Sequence, residues 1–122
     1  MPGSAGVVPS AGNAGGPALD ETCNAVVDAV TGGSVEIAND AVTSIDEHWS
    51  TEKVNDHLRA SFLTMSNKVG AAAAQAGDPQ LRATVQKVAD KLAKGGRSNS
   101  PDKFLQKDFQ SLSPELDKLC NA

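Results

Sequence analysis

At 122 residues, with one Trp, three Phe and no Tyr, the chain has room for one small domain whose core must lean on Ala and Val. A formal net charge of −4 with so few aromatic side chains argues against nucleic-acid binding. No run approaches the roughly 18 apolar residues of a membrane span, so a transmembrane segment is excluded as well.

Residues 1–16, MPGSAGVVPSAGNAGG, hold five of the eleven glycines and no charged side chain, and are expected to be a disordered arm ahead of a single domain at 17–122. Pro17 precedes ALDETCNAVVDAV, a first helix with Asp20 and Glu21 in its opening turn and Gly32-Gly33 as its stop. Ser34 then caps a second helix, in which Val35, Ala38, Val42, Ile45 and Trp49 recur at 3-4-3-4 spacing as one narrow apolar seam to be buried. Ser50-Thr51-Glu52 restarts the chain. A seam of Val54, Leu58, Phe62, Met65, Val69, Ala72 and Ala76 runs along the longest helix, closed by Gly77.

Asp78 caps the next helix, with Pro79 at its first position, where the missing N–H is no loss. Its seam is Leu81, Val85, Val88 and Leu92, stopped by Gly95-Gly96. Ser100-Pro101 and Ser113-Pro114 open two short C-terminal helices in the same way. No stretch alternates as a strand would. The reading is all-α: a helical bundle of four main helices plus short C-terminal ones.

The two cysteines, Cys23 and Cys120, lie at opposite ends of this patterned sequence. Unpaired, they are two unrelated buried thiols of a cytosolic protein. Paired, the preferred reading, they tie the first helix to the last, and loop-entropy models value so long a closure at about 4–5 kcal/mol. A modest Ala-rich core needs such a staple. A disulfide in turn implies an oxidising compartment, hence export. Two cysteines and two scattered histidines make no zinc site.

Charge is lopsided. Residues 1–56 carry nine acids and one base, Lys53, whereas 57–122 carry ten bases and six acids. Lys87, Lys91 and Lys94 form a basic stripe beside the apolar seam of their helix. That stripe suits an anionic surface or acidic partner, or else packs against the acidic helices of the same bundle.

Signatures of catalysis are missing. No GxSxG, phosphate-cradling Gly loop or HExxH occurs, and the adjacent Asp46-Glu47 cannot face each other on a helix. His48 and His57 lie nine residues apart, a helical rotation of about 900°, so they point to opposite sides. The expectation is a binding protein, not an enzyme. Its candidate ligand-binding residues are His48 with Trp49 beside it, then Phe62 and Met65, with Phe104 and Phe109 as further groove residues.

SIDEHWSTEKVN at 44–55, LSPELDKLC at 112–120 and the position of Cys23 are similar to pieces of the small exported haem-binding proteins of mycobacteria. The likeness covers about a fifth of the chain. It implies an all-helical, disulfide-stapled, exported protein. His48 matches a haem-binding His of that family, and Ser44 stands where the family has a haem-binding Tyr. The sequence thus supports three readings in order: an exported or cell-envelope protein presenting a helical surface or groove to a protein or apolar ligand; a haem carrier using His48; and a small secreted export-system substrate. A lipid-modified cysteine upstream of the arm would supply an envelope anchor. No obligatory cofactor is expected.

Overall fold

The computed structural model describes the backbone of residues 15–121 and the side chains of residues 21–120. They form five helices: α1 Gly15–Asp46, α2 Thr51–Gln75, α3 Pro79–Gly96, α4 Pro101–Gln106 and α5 Asp108–Asn121. There is no strand among the described residues. Most of the expected arm lies outside them, and Gly15 and Gly16 belong to α1.

The all-α, disulfide-closed bundle is as the sequence implies, but its first two expected helices are one. α1 runs 32 residues straight through Gly32-Gly33. Gly33 marks a crossing point: a Cβ placed there would sit 2.4 Å from Met65 Cγ, so α1 approaches α2 closely only because position 33 has no side chain. Ser34, expected as a cap, lies inside the helix, and its hydroxyl donates back to the Val30 carbonyl at 2.8 Å. The stop comes at His48, the one non-glycine residue with positive φ (55°) among those described. Its N–H donates to the Ile45 carbonyl at 3.4 Å, and the Trp49 N–H donates to the Ser44 carbonyl at 2.9 Å. Those are the paired bonds of a Schellman turn, with His where Gly is usual.

Ser50 and Asp78 follow the expected chemistry, whereas Ser100 precedes α4 without a side-chain cap hydrogen bond. Ser50 caps α2 by accepting from the Lys53 N–H at 3.1 Å, and Asp78 caps α3 by accepting from the Leu81 N–H at 3.1 Å. Gly95 and Gly96 do end α3, and both also let neighbours close in, Phe104 against the first and Leu63 against the second. Pro114 does not open a helix. It sits inside α5, exposed to solvent, where the carbonyl its ring leaves without a donor can be hydrated.

α2 is the middle of the bundle, packed on both α1 and α3. Its row His57, Ser61, Met65 meets Asp40, Glu36 and Gly33 of antiparallel α1. Its row Arg59, Leu63, Ser66 meets Ser98, Gly96 and Ala89 at and beyond α3. Between them Phe62, Met65, Val69, Val85, Leu92 and Leu112 are all but sealed from solvent. Phe104 meets Phe62 edge-on at 4.8 Å between centroids, and Phe109 lies 5.5 Å from it. α5 returns to α1 and is bonded to it through Cys23–Cys120, with Cα atoms 5.7 Å apart. No described helix is long and apolar enough to cross a membrane.

Candidate functional site

Among the described residues α1 packs mainly through one side. Its main contacts are with α2 and α5, and the positions turned toward α2 are Gly33, Ile37, Asp40 and Ser44, all partly shielded. The seam Val35, Ala38, Val42 and Ile45, expected in the core, is instead exposed, and the partly shielded side of the helix is the one with Ile37 and Ser44. Two rows about 100–150° apart on one helix cannot both be buried by a single antiparallel neighbour, and α2 covers the row containing Gly33, where backbones can approach.

The seam is therefore open to solvent. Val27 is 45% exposed, Val35 54%, Val42 62% and Ile45 74%, and Thr31 and Ala38 lie exposed between them. At about 100° per residue these six positions fall within a strip about 80° wide. It runs from Val27 to Ile45, about 27 Å at 1.5 Å per residue. Along one edge of the strip Glu21, Asp28, Asn39 and Asp46 form an exposed row. Among the described residues no cation pairs with those three carboxylates, the ion pairs being His57–Asp40, Arg59–Asp56 and Lys91–Glu115.

The residues expected to bind a ligand are not gathered into one place. His48 is exposed on the α1–α2 turn. Trp49 next to it turns away to stack on His57, with centroids 4.2 Å apart, under the Lys53 ammonium at 4.6 Å. The indole N–H donates to Glu47 at 3.1 Å. Phe62 and Met65 are 0% and 1% exposed, so both are core and neither faces a groove. Among the described residues no three potential metal ligands come together.

The three basic residues share one side of α3 but have different surroundings. Lys87 is exposed, Lys91 is bonded to Glu115 of α5 at 2.5 Å, and Lys94 lines a groove of about 340 Å³ with Lys103 and Lys107 around Phe104. Lys103 and Lys107 were not legible as partners of Lys94, because only the turn between α3 and α4 brings them together. Each of these three lysines sits at a helix C-terminus, where an ammonium already offsets the exposed carbonyls.

No family model, curated protein or solved structure matches this chain. Completing the burial of four aliphatic side chains that are half to three-quarters exposed is worth on the order of 4 kcal/mol, and a matching face on a partner supplies a similar amount. Together these are comparable to the freedom lost on association, so the strip can support a complex whose net affinity is set by what flanks it.

Proposed function

We propose that this chain is an exported or cell-envelope binding protein, without a catalytic role, that presents the outer face of α1 to a protein partner. The exposed strip from Val27 to Ile45 carries this reading. It is long and lies on one unbroken helix, whereas scattered single exposed hydrophobics need no explanation. The Cys23–Cys120 bond supports the compartment, since structural disulfides persist where thiols are not kept reduced.

The test is affinity capture on the immobilised, oxidised protein in parallel with a Val35→Glu/Val42→Glu/Ile45→Glu variant. Partners retained by the native strip and lost from the variant are expected. Identical recovery on both would refute the assignment of binding to this face.

A further inference from the structure

Resting on that reading, we infer that the partner element is an amphipathic helix of another protein, of about 18–20 residues, with an aliphatic seam flanked by Lys or Arg. The open face of α1 carries apolar side chains and a carboxylate row, and no base occurs before Lys53. Glu21 and Asp28 are one heptad apart, as are Asn39 and Asp46, so the row keeps pace with the strip along the helix. A partner that covers the strip with neutral or acidic flanks leaves those carboxylates partly desolvated and uncompensated. One with basic flanks supplies their counter-charges.

Two other occupants fit less well. A second copy offers either its own α1, which brings two acidic helices together, or its basic surface on α3. The latter lacks the apolar residues to cover the strip: away from α1, the one large hydrophobic exposed among the described residues is Leu63. A lipid surface is disfavoured because membrane-lying helices put bases, not acids, beside their apolar face, and anionic headgroups repel this one.

The experiment uses the full chain with its disulfide intact and two synthetic helical peptides of about 20 residues. Both carry Leu at the seam positions; one has Lys at every flanking position and the other Glu. The Lys peptide is expected to bind at least ~10-fold more tightly at low ionic strength, with the advantage shrinking as salt screens the exposed charges. Asp28→Lys/Asp46→Lys should transfer the preference to the Glu peptide, and Val42→Glu/Ile45→Glu should abolish binding of both while leaving the thermal melt in place. Equal binding of the two peptides overturns the charge inference and leaves the strip as a docking face. Failure of both peptides to bind overturns the inference too, while strip-dependent capture of native partners still judges the broader reading. Lys-peptide binding that survives Val42→Glu/Ile45→Glu also overturns it. So does a dimer in sedimentation, or adsorption to anionic vesicles, that the same pair of substitutions abolishes.

Discussion

Gly32 and Gly33 are neighbours in the same helix, yet Ala should act on them in opposite directions. Both lie inside α1, so either substitution gains about 0.5–1 kcal/mol of helix propensity. At Gly32 nothing lies within 4 Å of the added Cβ, and the gain is kept. At Gly33 the new atom meets Met65 Cγ, Sδ and Cε at 2.4, 2.5 and 2.7 Å. Met65 is flexible, but at 1% exposed it has nowhere to retreat, and overpacking of this kind costs about 1–3 kcal/mol. Gly33→Ala should therefore be less stable than Gly32→Ala by that amount, with a net effect between neutral and a loss of about 2 kcal/mol. Urea unfolding followed by far-ultraviolet circular dichroism on the oxidised protein measures both. Shortening the obstacle with Met65→Val should recover part of the loss, a coupling of about 0.5–2 kcal/mol. Equal stabilisation by Ala at both positions would show that α1 does not cross α2 on the Gly33–Met65 contact.

Cys23→Ser/Cys120→Ser should lower stability by about 2–5 kcal/mol, and alkylation without reductant should add no mass to the native protein. His48→Gly should raise stability by about 0.5–1 kcal/mol, because φ of 55° strains any side chain at the C-terminal stop of α1; a loss would mean the imidazole makes an interaction absent from this arrangement. Val35→Glu and Val42→Glu should each leave unfolding free energy within about 0.5 kcal/mol, the mark of positions the isolated fold does not use. Haemin titrated into the protein should keep its free spectrum, since His48 stands on an exposed turn while Phe62 and Met65 are sealed in the core; a Soret shift lost in His48→Ala would restore the carrier reading.

What the sequence made legible is what local chemistry decides. Ser50, Asp78 and Pro79 mark helix starts because capping needs only the next three residues. The seams through Phe62 and Val85 are buried because α2 and α3 have strong apolar rows and each other to cover them. Gly32-Gly33 reads as a stop in one dimension and is a contact in three, since the presence of Met65 opposite cannot be inferred from local spacing. The end of α1 was masked for the complementary reason: a left-handed stop was built on His48, not on Gly. Periodicity located the strip Val35, Ala38, Val42, Ile45 but could not say which side α2 takes. The row Gly33, Ile37, Asp40, Ser44 has a single aliphatic side chain, and it is the one that lets the backbones approach.

The composition of the open strip bears on its use. Val27, Thr31, Val35, Val42 and Ile45 are all β-branched, and such residues are poorer helix formers than the Ala, Glu or Lys that an exposed helix face could carry. Over five positions the deficit relative to Ala is on the order of 2 kcal/mol, a substantial fraction of the stability of a domain this small. Nothing in the isolated fold returns it, because the side chains concerned touch little. A docked helix would. β-Branched side chains on a helix are held near one χ1 rotamer, so they lose little freedom when covered, and the ridge they form is organised before a partner arrives. The same residues that weaken α1 in isolation thus make its outer face a low-entropy template. Replacing Val27, Val35, Val42 and Ile45 by Ala should accordingly raise the helix's own stability while weakening capture of any partner that uses the face. A quadruple variant that gained stability and kept its partners would detach the strip from binding altogether.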